Sequence, residues 1–184
     1  MNEQGSTALG WSVLGDYLNC QRMAYFRHVA KLSLITKAVS LAKGSIFHHY
    51  LACLYRGKLY EFNLNEEVAS EVTQGCIFTS EDIEHLKLTT QYYVDQFAGW
   101  RVVAVEEEKT VFLEEDAPYT VRFDLIALNP RGELVIIDHK TGERNNILMS
   151  SFAGSLTGYW TVATLLGYDI KHICVNQIVL AKRD

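Results

Sequence analysis

"RFDLIALNPRGELVIIDHKTG", residues 122–142, sets two apolar runs on either side of a turn and ends the second on an acid, a histidine and a lysine. "NPRG", residues 129–132, combines residues that favour tight turns, so the flanking runs read as the arms of a hairpin. Side chains alternate across a strand, so Leu134, Ile136, Asp138 and Lys140 share one face while Val135, Ile137 and His139 share the other. Both faces begin apolar, which marks a strand inside a sheet. In the first arm Asp124 interrupts an apolar run between Phe123 and Leu125, where an unpaired charge is costly. If the hairpin brings the arms side by side, Asp124 and Asp138 converge on one point of the sheet.

Two carboxylates at one point repel and raise each other's proton affinity unless a cation sits between them. Oxygen ligation suits Mg2+ or Mn2+ better than zinc. Lys140, facing the same way two residues on, could hold a water or offset charge developing on a phosphate. The residues alone leave a second reading open, a buried Asp138–Lys140 ion pair with Asp124 capping a turn.

Outward from this hairpin the chain divides by texture. Ser12 is expected to cap a helix over 13–29, in which Leu14, Tyr17, Leu18, Tyr25 and Val29 recur at helical spacing. A second helix is expected at about 38–56, ending before Gly57, a third at 65–74, and Thr79 or Ser80 caps a helical stretch within 81–99. Beyond Trp100, residues 101–113 read as a long or bulged strand, Pro118 resets the chain, 119–128 form the next strand and 133–140 its hairpin partner. After a loop at 142–149, Ser150 or Ser151 caps a helix through 152–167, and 171–182 close as a strand. The expected fold is α/β, a small mixed sheet of α+β type, with the order αβββαβ from about residue 38.

At 184 residues and 48% hydrophobic, the chain can bury a real core and is expected to be a single domain. No apolar run approaches the ~20 residues needed to cross a bilayer, and "MNEQGSTALG" lacks the layout of a signal peptide. A cytoplasmic protein with no membrane partner is the expectation. Cys20, Cys53, Cys76 and Cys174 form no CxxC pair, so reduced, mostly buried thiols are expected. The net charge of −5 is unevenly spread: residues 1–60 carry seven Lys and Arg against two acids, and the remainder ten against twenty. A basic first third keeps a polyanionic partner open despite the acidic total.

The stretch 122–142 resembles the core of the PD-(D/E)XK nucleases, in particular their RecB-like branch, in which an Asp on one strand is followed across a hairpin by Asp/Glu-x-Lys, often continued as Lys-Thr-Gly. "KGSIFHHYL", 43–51, resembles the branch's glycine-x-x-x-histidine, which counted from Gly44 selects His48 over His49. "WSVLGDYLNCQRMAYFRHV", 11–29, resembles the opening helix of that branch. The resemblance implies a restriction-endonuclease-like αβββαβ core with additional N-terminal helices. On it, residues 1–184 are one nuclease domain, with an N-terminal helical segment at 1–37 and the core at 38–184, carrying a helical insertion at about 63–98.

The same resemblance implies a Mg2+- or Mn2+-dependent phosphodiesterase, expected to be an exonuclease on DNA in recombination, repair or mobile-element processing, with a helicase or recombination protein as partner. Asp124 and Asp138 become metal-binding carboxylates, Lys140 the catalytic lysine and His48 a metal ligand or active-site partner. The backbone carbonyl of His139 would face the metal while its side chain packs. Glu106 matches an acid that some relatives carry one strand earlier, the alternative being one of three adjacent solvated glutamates. The family's late helix carries a glutamine four residues before a tyrosine; here Tyr159 is present but Ser155 stands at the glutamine position, which puts DNA positioning in question. Val121 replaces a usual glycine, and Gly158 and Trp160 are expected to serve helix packing. Arg22, Arg27, Lys31, Lys37 and Lys43 are candidates for the phosphate backbone. Tyr25, Phe26 and Tyr159 are candidates for base stacking or, more simply, for the core. Cys20 fits the early cysteine of iron-sulfur relatives, but Cys174 stands alone late in the chain, so no cluster is expected.

Two other classes compete. "SLAK" at 40–43 and "KTG" at 140–142 echo serine acyl-enzyme hydrolases, but the chain is short for that fold and has no SDN element or export signal. A non-catalytic nucleic-acid-binding module on the nuclease fold is the other; against it, His48, Asp124, Asp138 and Lys140 are all chemically intact.

Overall fold

The computed structural model describes residues 9–32, 36–142 and 153–180. The expected Ser150 or Ser151 cap and most of the 142–149 loop lie outside these residues. Among the described residues, six α-helices and four strands follow in the order α1 (Trp11–Asn19), α2 (Gln21–Ala24), α3 (Val39–Tyr55), α4 (Leu64–Thr73), α5 (Ser80–Tyr92), β1 (Arg101–Phe112), β2 (Pro118–Leu128), β3 (Leu134–Gly142), α6 (Ala153–Leu165) and β4 (Ile170–Val179). The strands form one sheet in the order β1-β2-β3-β4, with β1/β2 and β2/β3 antiparallel. The result is the mixed α/β architecture of a restriction-endonuclease-like fold.

The chain falls into two compact units, the first comprising Met1–Ser33, Arg101–Asp138 and Leu148–Cys174, the second Leu34–Trp100, His139–Ile147 and Val175–Asp184. In the first, α6 packs on β1 and β2 over a core of Val111, Tyr119, Val121, Phe123, Ile126, Ile136, Val162, Ala163 and Ile170. Gly158 permits a close approach, because a methyl there would collide with the Tyr119 hydroxyl. Gly154 serves Trp11 of α1 in the same way. Trp160, by contrast, is 45% exposed and does not serve packing as expected.

The hairpin forms as its sequence predicts. Asn129 Oδ1 accepts from the Arg131 and Glu133 amides at 2.9 and 3.0 Å, and Gly132 takes φ 78°, the left-handed geometry that closes the turn. The N-terminal segment departs from the expected continuous helix. α1 is capped by Gly10 rather than Ser12, and Cys20 at φ −160° and ψ 103° breaks the helical path before α2 resumes it. A π-helical turn over Tyr25–Val29 and Lys31 at φ 52° end the segment. Leu14, Tyr17, Leu18, Tyr25, Phe26 and Val29 are 38–68% exposed, so the apolar stripe is on the surface and the core role expected of Tyr25 and Phe26 is not met. Helical spacing reports where apolar residues align, not whether a partner covers them.

In the second unit, α3 ends as expected at Gly57, whose φ of 68° permits the reversal while Lys58 N–H donates to the Cys53 carbonyl at 2.8 Å. Ile46 of α3 packs with Val68 and Leu86, and Phe47 and Leu51 with Ile178 and Leu180. Thr79 caps α5 through a capping box: its Oγ1 accepts from Asp82 N–H at 3.1 Å and its own N–H donates to Asp82 Oδ2 at 3.0 Å. The other Asp82 oxygen meets Lys43 Nζ at 2.6 Å, tying the start of α5 to α3. Burial alone would push the Asp82 carboxyl up, but Lys43 and the Thr79 hydroxyl and amide hold it well below its usual 3.8.

Lys43→Met therefore leaves Asp82 without its cation in a site where the paired side chains are only 10% and 14% exposed. The expected loss is about 3 kcal/mol at neutral pH, read from the urea unfolding midpoint. Because the folded-state pKa is depressed, the pairing contributes fully above 3.8 and is lost as pH falls through the folded value, so the gap between wild type and variant should narrow below pH 3.8.

Candidate metal centre

Three carboxylates stand side by side on three adjacent strands of the first unit. The β2/β3 pairing runs from Leu128↔Leu134 to Leu125↔Ile137, and Asp124 and Asp138 are the next residues on the two strands. On the other side of β2, Val105 pairs with Leu125 and Glu107 with Phe123, so Glu106 falls level with Asp124. The β1 register shifts between Val102 and Ala104, and that bulge helps to set which glutamate of 106–108 reaches this level. Glu106 adopts φ 49°, a left-handed conformation that costs a non-glycine residue about 1–3 kcal/mol. Its carboxylate lies within 4.8 Å of that of Asp124.

The acids are shielded from water. Asp138 is fully buried, Asp124 is 9% exposed, and Glu106 is half-buried. Arg122 Nε reaches Glu106 Oε2 at 3.1 Å, and the Tyr159 hydroxyl donates to Asp138 Oδ1 at 3.2 Å. Burial first, and then the fields of Asp124 and Asp138, push the Tyr159 hydroxyl well above its ordinary pKa, so it stays a proton donor. The Tyr159 ring packs on Phe123 at 5.6 Å between centroids. Tyr159 was expected to stack on bases or to join the core; its packing fits the core, and its hydroxyl holds a carboxylate.

Arg122 and the Tyr159 hydroxyl are among the groups that accompany these three acids. Such a set fits a hard divalent cation: its donors are anionic oxygens, they are preassembled, and burial raises the energy of keeping them charged without a counter-ion.

The second unit holds the remaining expected residues. Gly44 of α3 lies against β3, where an added methyl would stand 2.9 Å from Thr141 Oγ1. The glycine thus permits close approach, and one turn later the His48 ring meets that of His139 at 6.2 Å, edge to face. His49 instead pairs with Glu67, Nδ1 to Oε1 at 2.7 Å. His139 is 2% exposed and stacks on Tyr55 at 5.6 Å and 10°. Burial first, then the neighbouring His48 and Lys140, push its imidazole down to about 3, so it is neutral at physiological pH. Lys140 is half-buried on β3.

Of the five expected phosphate contacts, three take part in ion pairs, two of them well shielded. Lys43 is held by Asp82 and Lys37 Nζ meets Glu71 Oε2 at 2.7 Å, both within the second unit. Arg22 and Lys31 are exposed, and Arg27 is a half-exposed partner of Asp16 at 3.0 Å. The lysine of "SLAK" is thus committed to an ion pair with Asp82, an arrangement that lends the acyl-enzyme reading no support. All four cysteines are free, with Cys53 and Cys76 buried, Cys174 half-buried and Cys20 exposed.

A two-arm hairpin carrying level aspartates, followed on the second arm by lysine, is the arrangement the resemblance led one to expect. The chain belongs to the PD-(D/E)XK nuclease superfamily, whose model matches residues 8–158. The match spans His48, Glu106, Asp124, Asp138 and Lys140. Members of this superfamily are divalent-metal-dependent nucleases, which implies a DNA substrate. No curated protein matches the sequence. No helix among the described residues is long and apolar enough to cross a membrane.

Gly44→Ala tests the close approach. In a helix interior this change normally stabilises by about 1 kcal/mol. Here the methyl must displace Thr141, so no gain is expected, and the gain should return when Gly44→Ala is made in a Thr141→Ala background, as read from urea unfolding.

Proposed function

We propose that this protein is a Mg2+- or Mn2+-dependent deoxyribonuclease of the RecB-like branch, acting as an exonuclease in recombination, repair or mobile-element DNA processing. The observation that carries the reading is the row of Glu106, Asp124 and Asp138 across β1, β2 and β3, with Lys140 two residues further along β3. The three carboxylates would hold the metal, and the family resemblance adds His48 and the carbonyl of His139 to the set. When bound, the cation polarises the scissile phosphate and lowers the pKa of a coordinated water.

The chain's own groups supply the rest. Lys140 offers a compact positive charge that can orient a water or offset charge on the phosphate in the transition state. Tyr159 keeps Asp138 in one orientation and, remaining protonated, adds no charge to the cluster. Arg122 balances part of the Glu106 charge. Arg22, Arg27 and Lys31 are the exposed cations best suited to backbone phosphates, a role that brings salt sensitivity without sequence preference. A helicase or recombination protein is the partner class the branch suggests, and a cytoplasmic setting accords with a DNA substrate.

The test is cleavage of end-labelled single-stranded, duplex and circular DNA with Mn2+, Mg2+ or EDTA. Linear substrates should be cut only with metal, Asp138→Asn should abolish cutting while retaining DNA binding, and Lys140→Ala should slow it by roughly 10^2- to 10^3-fold. No cleavage of any substrate with either metal overturns the catalytic reading and favours a binding module. Cutting of the circle overturns the exonuclease assignment alone.

A further inference from the structure

The side chain of His139 sits between two residues of the proposed site, Asp138 and Lys140, yet faces away from them into the second unit. What surrounds it is more specific than filler. Asn176 Nδ2 of β4 donates to His139 Nδ1 at 2.9 Å, fixing which ring nitrogen accepts. The same amide group lies 3.2 Å from the Tyr93 hydroxyl. Tyr55, stacked on the imidazole, donates its hydroxyl to Asp95 Oδ1 at 2.9 Å. That oxygen also accepts from Phe97 N–H at 2.9 Å, and the Phe97 ring meets His139 edge to face at 6.3 Å. Residues from α3, β4 and the turn after α5 thus close on one imidazole.

An apolar side chain would fill this space without needing the Asn176 amide opposite Nδ1. Buried polar networks confer orientation rather than bulk stability, because they are favourable only in the one arrangement that satisfies them. The stack fixes the plane of the imidazole, and the Asn176 bond fixes its rotation in that plane. With both set, the side chain has one rotamer, and the backbone of residues 138–140 is held at its midpoint.

We propose that the Asn176–His139–Tyr55 clamp is a positioning device for the nuclease centre, holding β3 so that the carbonyl of His139 and the ammonium of Lys140 keep their working orientation. The inference rests on the metal-dependent nuclease reading above. His139, Asn176 and Tyr55 act here as positioning residues, since none donates a side-chain atom to substrate or metal in this scheme. The arrangement parallels the outer partners that orient ligands at metal sites, whose loss commonly costs about 10- to 100-fold.

A double-mutant cycle tests it, with His139→Phe keeping the stack but losing the acceptor, Asn176→Ala losing the donor, and the two combined. Each single variant should lower kcat about tenfold and raise the Mn2+ concentration for half-maximal activity, leaving KM for DNA and the melting temperature nearly unchanged. The double variant should be no worse than either single one, because the same contact is removed twice. Tyr55→Phe, which keeps the ring but releases Asp95, should show a smaller shift in the same direction. Additive losses, losses that track the melting temperature, or an unchanged Mn2+ requirement would overturn the positioning role. A wild-type protein that neither cuts DNA nor binds Mn2+ overturns the nuclease reading itself, and is told apart because it fails before any variant is compared.

Discussion

Charge crowding at the centre of the sheet governs the rest of this structure. Glu106, Asp124 and Asp138 are brought level by antiparallel pairing, and three acids at neighbouring positions, two of them buried and one half-buried, crowd like charges in a medium that screens poorly. Arg122 answers one of them and the Tyr159 hydroxyl donates to another. A divalent cation is the physical complement of such a row of carboxylates. The hairpin turn, the β1 bulge and the packing of α6 through Gly158 can all be understood as means of holding like charges where they would not stay by themselves.

The second unit answers a different constraint, which is to bring a helix close to the strand that carries the lysine. α3 does this with neighbouring positions. Lys43 anchors it to the cap of α5, Gly44 lets it approach Thr141, and His48 follows one turn later beside His139. A motif that looks like a spacing rule, glycine to histidine, is in this light a steric rule with a histidine placed where the close contact delivers it.

How much of this could be read from the residues depended on the range of the interaction. The β2–β3 hairpin, the end of α3 at Gly57 and the Thr79 cap are decided within a few residues, and local chemistry announces each. Asp124 and Asp138 were found because a turn of known geometry joins them. The break at Cys20 was not visible, since the apolar spacing of 13–29 continues across it and only backbone angles reveal it. Lys43 looked like a phosphate contact because nothing nearby in sequence shows that Asp82 lies beside it. Tyr159 and Asn176 are the same case: both were aromatic or amide residues in apolar segments, and their partners are distant in sequence. Pattern reading locates charges and turns, while the identity of a side chain's partner is tertiary information.

Glu106 has a consequence that reaches beyond the site. Its left-handed backbone would be relaxed by glycine or asparagine, either of which would make β1 more comfortable and remove the carboxylate. Stability and metal binding therefore pull this one position in opposite directions. A sequence optimised for thermal resistance alone would tend to exchange that acid early, yielding a sturdier sheet with an emptier centre.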